Sequence, residues 1–190
     1  MQKVFMLHGI CDEEEFYSPH HPSPSNAQWF PWLQKELVMK GYNCQTPEVP
    51  YSYKGHWYDW FGTIDDLSID DNTILIGHSC GCGAFLKYLS LNPDIKLAKL
   101  ILVAPYLDPF RDYGDMLKCQ LDENLPSRIG KMYLMKSDDE PLESVVKTTQ
   151  IVQETYPDIH YTELSGYGHC CTDAMGTEEF PELLRLVIES

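Results

Sequence analysis

The pentapeptide Gly77-His78-Ser79-Cys80-Gly81 joins the apolar run Thr73-Ile74-Leu75-Ile76 to the helical pattern Gly83-Ala84-Phe85-Leu86-Lys87-Tyr88-Leu89. A G-x-S-x-G turn between a strand and a helix strains the backbone of its serine and lifts the hydroxyl clear of the sheet. The turn is tight, so the positions two before and two after the serine must carry almost no side chain. Gly77 and Gly81 meet that demand. The helix that follows aims its first N–H groups at the space above the serine, where they stabilise developing negative charge. The turn needs a strand before it and a helix after it, and the rest of the chain must accommodate that unit.

It does so by alternation. Short β-rich apolar runs at 3–8, 43–48, 72–78, 98–104, 131–136 and 159–164 are separated by helical patterns near 27–40, 57–67, 80–91, 109–119 and 142–155, with a last one at 177–189. Most of the runs are continuously apolar, as expected for parallel strands covered on both faces. The alternation predicts a three-layer α/β/α sandwich with a mostly parallel, doubly wound, six-stranded sheet and right-handed crossovers. At 190 residues and 43% hydrophobic content, residues 1–190 read as one domain without repeat or linker. Two stretches break the alternation. Residues 11–25 hold Asp12-Glu13-Glu14-Glu15 and then Pro19, Pro22 and Pro24, so a loop is expected there, at the carboxyl edge of the sheet. Its His20 and His21 read as solvated side chains. Residues 51–61 are dense in aromatics and either wall a pocket or pack a helix onto the sheet.

Charge excludes some partners. Fourteen basic and twenty-nine acidic residues leave a formal net charge of −15, which repels phosphate backbones and anionic membrane surfaces, so neither nucleic acid nor membrane is an expected partner. No stretch approaches the roughly 20 apolar residues of a membrane span, and Met1-Gln2-Lys3 leads directly into a core strand instead of a signal peptide. Seven cysteines without framework spacing read as reduced thiols in a cytoplasmic protein. Cys80, Cys82, Cys170 and Cys171 lack the usual ligand gaps, so no metal and no other cofactor is expected. His78, Cys170 and Cys171 read as packing beside the site.

A serine hydroxyl needs a base to take its proton, and the base needs an orienting acid. In a strand–turn–helix arrangement of this kind the order along the chain is Ser, then Asp or Glu, then His. His160 lies within the last strand pattern, where it cannot swing over Ser79. His169 follows Gly166-Tyr167-Gly168, a flexible loop just beyond that strand, and is the expected base. The acid should follow the strand at 131–136, where the chain reads Ser137-Asp138-Asp139-Glu140-Pro141-Leu142. Only one of the three carboxylates can meet His169, and spacing alone does not choose among them.

Nearly the whole chain resembles the small single-domain serine hydrolases of the retinoblastoma-binding-protein type, within the α/β-hydrolase superfamily. The resemblance rests on the first strand ending at His8-Gly9, the Gly-His-Ser-x-Gly turn, the Asp-Asp segment and the closing Gly-x-Gly-His. It implies a compact α/β-hydrolase fold without a large lid. In that family an aliphatic residue follows the acid after two others, which favours Asp139, with Leu142 in the aliphatic place, over Asp138. Glu143 stands where the family often has proline. The resemblance also implies an oxyanion hole made by the backbone N–H groups of Cys80 and Ile10. Together these readings predict a serine hydrolase acting by acyl transfer through Ser79, Asp139 and His169 on a small-molecule acyl substrate. Carboxylesters are the first expectation, with thioesters and amides as alternatives. The rival is a protein-interaction module that keeps the hydrolase fold and binds a protein partner. Substrate preference depends on loops 11–25, 51–61 and 105–125, and the sequence leaves the oligomeric state open.

Overall fold

Every residue of Thr73–His78 is buried, and this strand is flanked by parallel neighbours on both sides, which is why its apolar run is unbroken. In the computed structural model, which describes residues 1–189, the six strands are β1 (Lys3–Leu7), β2 (Asn43–Gln45), β3 (Thr73–His78), β4 (Leu97–Val103), β5 (Ile129–Ser137) and β6 (His160–Leu164). They form one sheet in the order β2-β1-β3-β4-β5-β6, with every pairing parallel. The chain runs outward from β1 to β2 and then returns to build the other half from β3. The reversal places the topological switch point between β1 and β3, above whose carboxyl ends ligands bind in sheets of this kind. This is the parallel, doubly wound α/β sheet expected from the alternation, and it has the form of the compact α/β-hydrolase fold that the resemblance implies.

The helices are α1 (Glu13–Tyr17), α2 (Phe30–Met39), α3 (Trp57–Asp65), α4 (Cys80–Leu91), α5 (Glu143–Thr155), α6 (Thr172–Met175) and α7 (Pro181–Ile188). α2 packs with α7 over one face of the sheet and α3 with α4 over the other. Between them Ile74, Leu75, Ile76, Leu100, Ile101, Leu102 and Leu134 lose all contact with solvent. Each such side chain contributes roughly 1.5–3 kcal/mol of transfer free energy. No helix among the described residues is long and apolar enough to cross a membrane.

Three local departures from the sequence reading have physical causes. Residues 13–17 form a helical turn inside the expected loop, because the Asp12 carboxylate accepts from the Glu15 N–H (2.6 Å) and Glu13 to Glu15 favour the positive helix end. The prolines that follow confine helix to that one turn. The expected helix at 109–119 does not form. Asp108 accepts instead from the Asp112 and Tyr113 N–H groups (2.6 and 2.9 Å), and Asp108, Arg111 and Gly114 take positive φ. A side chain has replaced the helical acceptors and folded the segment into turns. Finally, α2 starts three residues late, at Phe30, after Gln28 adopts φ 56°. In the aromatic segment 51–61, Trp60 is fully buried and its ring lies 5.8 Å from that of His8, so packing is part of that segment's role.

Candidate active site

Ser79 sits between β3 and α4 with φ 52° and ψ −120°, a conformation that costs an L-residue energy and is held from outside. Its N–H donates to the Val103 carbonyl (3.0 Å), and its own carbonyl accepts from Cys82 and Tyr106 N–H groups (3.0 and 3.1 Å). The flanking glycines are required by contact. A Cβ on Gly77 would lie 2.6 Å from the Cys82 nitrogen, and one on Gly81 would run into the carbonyl oxygens of Leu7 and His8. The Gly81 contact ties the turn to the end of β1 and brings the His8-Gly9-Ile10 backbone beside the serine.

His169 stands on the loop after β6, as expected, and its Nε2 is 3.0 Å from Ser79 Oγ. Its Nδ1 is 3.0 and 3.1 Å from the two carboxylate oxygens of Glu140. This corrects the expectation for Asp139, which does not touch the imidazole. The Glu140 carboxylate accepts the Nδ1–H and, at Oε1, the Leu142 N–H (3.0 Å), and its side chain has no solvent exposure. A buried carboxylate in this place fixes the proton on Nδ1 and leaves the Nε2 lone pair facing the serine hydroxyl. Ser79, His169 and Glu140 therefore form one continuous hydrogen-bonded line.

The two aspartates before Glu140 hold the histidine loop instead. Asp138 accepts from Ser165 Oγ (2.9 Å) and the Gly166 N–H (3.1 Å). Asp139 accepts from Ser137 Oγ (2.5 Å) and the Gly168 N–H (2.8 Å), while Ser137 Oγ itself accepts from the Tyr167 N–H (2.9 Å). The Gly166 N–H holds the Asp138 carboxyl below its usual range, and the Ser137 hydroxyl does the same for Asp139. From beneath, the His78 Nε2–H donates to the His169 carbonyl (2.9 Å) and Trp29 Nε1–H to the Cys170 carbonyl (3.1 Å). Burial, reinforced by neighbouring His169, pushes the His78 pKa down to about 3, so that imidazole stays neutral. His78, which reads from the sequence as packing, thus holds the loop that carries His169. The order G-H-S places His78 on the buried strand under the serine, but Trp29 carries no local signal.

Cys80 and Ile10, whose main-chain N–H groups are the expected oxyanion donors, both line a cavity at Ser79. Cys80 opens α4, so its N–H is among the unpaired donors at the positive end of that helix. The Ile10 N–H faces the Cys80 thiol, which burial pushes up to about 12, so this cysteine stays a neutral thiol. His8 braces the loop: Nδ1–H donates to the Gly9 carbonyl (2.7 Å) and Nε2 accepts from the Val49 N–H (3.0 Å). Burial lowers its pKa, which favours this neutral tautomer.

Two cavities open at Ser79. One, of about 180 Å³, is walled by Cys11, Glu15, Gln28 and Phe30. The other, of about 440 Å³, lies towards Tyr106, Asp112, Tyr113 and Leu142. Elsewhere, His20, His21 and His160 are exposed, with the His160 ring lying 5.3 Å from that of Tyr133. Among the described residues no group of three or more His, Cys, Asp or Glu side chains is arranged to hold a metal ion.

The chain is similar in sequence and in fold to known proteins. The profile of a family described as serine hydrolase matches residues 20–189. YdeN of Bacillus subtilis (strain 168) is 29% identical over 108 residues, covering 55% of this chain and 51% of YdeN. The serine hydrolase RBBP9 of Rattus norvegicus is 30% identical over 89 residues, covering 46% and 45%. The matched region thus spans about half the length of these curated relatives. The crystal structure of the ydeN gene product superposes with a TM-score of 0.80 at 20% identity, over 98% of this chain and 97% of that one. Est1E of Butyrivibrio proteoclasticus, with ferulic acid bound, gives 0.67 at 13% identity over 98% and 86%. At such identities the superpositions show a shared fold.

Proposed function

The chain belongs to the serine hydrolase family, and from that membership and the line Ser79–His169–Glu140 we propose that it cleaves small acyl substrates, carboxylesters foremost, through an acyl-enzyme. Ser79 Oγ attacks the carbonyl carbon while His169 Nε2 takes its proton. Glu140 keeps the imidazole in the required tautomer and stabilises the imidazolium. The tetrahedral oxyanion is held by the N–H groups of Cys80 and Ile10 at the positive end of α4. His169 then gives its proton to the leaving oxygen, the C–O bond breaks, and an ester between Ser79 and the acyl group is left. Water, deprotonated by the same imidazole, releases the acid and restores Ser79.

The observation that carries this reading is the pair of contacts on His169: 3.0 Å from Nε2 to Ser79 Oγ, and 3.0 and 3.1 Å from Nδ1 to Glu140. A fluorophosphonate probe tests it. Labelling of the folded protein at one site, abolished in Ser79→Ala together with hydrolysis of p-nitrophenyl acetate, is the expected result. A folded protein that neither labels nor turns over the ester refutes the reading.

A further inference from the structure

The larger cavity beside Ser79 has an unusual wall. Tyr106 and Tyr113 both line it, with their rings edge-to-face at 83° and centroids 6.2 Å apart. Asp112, an exposed carboxylate, lines the same cavity, and neither Lys nor Arg does. The Asp112 carboxylate is also short of a donor. Tyr106 Oη lies 2.8 Å from Asp108 Oδ1 and 3.2 Å from Asp112 Oδ2, but a phenol has one proton to give. The shorter contact goes to Asp108, which is fully buried and also receives the Asp112 and Tyr113 N–H groups. Asp108 is thereby compensated and fixes the turn. Asp112 lines the cavity, and none of the ion pairs among the described residues involves it.

Aromatic faces beside a carboxylate attract a cation twice over, through the ring quadrupoles and through charge. An anionic group would meet Asp112 and the acidic chain as a whole, at −15. We infer that this cavity receives a positively charged alkylammonium group of the substrate, so that the preferred substrates are cationic esters. The inference rests on Ser79 being the nucleophile, since it places the cation relative to the scissile bond. Asp112 acts here in substrate selection and takes no part in bond making.

Matched esters that differ only in one atom test it. Acetylcholine is compared with 3,3-dimethylbutyl acetate, and p-nitrophenyl 4-(trimethylammonio)butyrate with p-nitrophenyl 5,5-dimethylhexanoate. The pairs place the cation on the alcohol and acyl sides respectively. Each is read as kcat/KM and as the concentration that half-protects Ser79 from a fluorophosphonate probe, at pH 7 and low salt. The expected preference for the cationic member is about tenfold in at least one pair. Within Asp112→Asn the same ratio falls towards one, and within Asp112→Lys it inverts. Ratios within twofold of one in both pairs, by both readouts, overturn the inference, as does an unchanged ratio in Asp112→Asn. Absence of Ser79 labelling in the folded protein instead overturns the hydrolase reading on which it rests.

Discussion

Glu140→Gln separates the acid that touches His169 from the two that hold its loop. When His169 takes the serine proton, it becomes a cation against a carboxylate with no solvent exposure, its Nδ1 3.0 Å from Oε2. Taking roughly 4 Å between charge centres and an effective dielectric of about 20, the attraction is about 4 kcal/mol. Glutamine keeps the volume but removes the charge, and its amide can also turn a donor towards Nδ1. The expected loss in kcat is therefore about a thousandfold, at 1.36 kcal/mol per decade. KM should move little, because Glu140 lies behind the imidazole, away from the two cavities at Ser79. Asp139→Asn retains a carbonyl oxygen to accept from Ser137 Oγ and the Gly168 N–H, so its kcat should fall by no more than about tenfold. The assay is steady-state hydrolysis of p-nitrophenyl acetate at pH 8, with thermal melting to establish that each variant is folded. A greater loss in Asp139→Asn than in Glu140→Gln would refute the assignment, and so would a Glu140→Gln enzyme within tenfold of wild type.

The surrounding scaffold gives three more tests. Gly81→Ala forces a methyl against the Leu7 and His8 carbonyls and should destabilise the fold by about 3 kcal/mol or more, measured by urea unfolding; a loss below about 1 kcal/mol would mean that the turn relaxes freely. His78 is neutral when folded, with a pKa of about 3 against an ordinary 6.5, so protons bind the unfolded chain preferentially. Its contribution is full above pH 6.5 and is lost as pH falls towards 3, amounting to about 2.5 kcal/mol between pH 7 and 4.5. Unfolding free energies of His78→Asn at those two pH values should differ by that much less than in wild type, and an equal difference would count against a buried neutral imidazole. Trp29→Phe leaves the Cys170 carbonyl without its indole donor, at an expected cost of about 1–3 kcal/mol in stability together with a lower kcat, read by unfolding and by ester hydrolysis.

The parallel sheet was legible because burial on both faces leaves a strong mark. Thr73-Ile74-Leu75-Ile76 and Leu100-Ile101-Leu102-Val103 are unbroken apolar runs, and both are central strands. The edges and turns were less legible, since there a single polar side chain decides the path. Asp12 starts a helix inside a proline-rich stretch, and Asp108 prevents one at 109–119 by taking the N–H groups that helical carbonyls would take. Neither outcome appears in hydrophobic periodicity. Ser79 and His169 were readable for a different reason: glycines mark both, and glycine reports a backbone demand that holds in any context. At Gly81 the demand is contact with β1.

The acid carries no such mark, and frame is a poor guide to it. Asp138, Asp139 and Glu140 share one turn after β5, but the chain there is still pinned to β6, with the Asp138 N–H donating to the Leu164 carbonyl (2.8 Å). That bond sets the first two side chains against the backbone of the loop on which His169 sits, at Gly166 and Gly168. Short carboxylates in that position meet backbone N–H groups before they meet the ring. Glu140 is one residue further on and one methylene longer, and it meets the imidazole. Which carboxylate serves is thus decided by reach and by what lies between, and those are set by the β5–β6 pairing, some thirty residues from the acid to the base. The aspartates keep a different role: by holding the loop from its Ser165, Gly166 and Gly168 side, while His78 and Trp29 hold it from below, they place Nε2 in line with Ser79 before any substrate arrives.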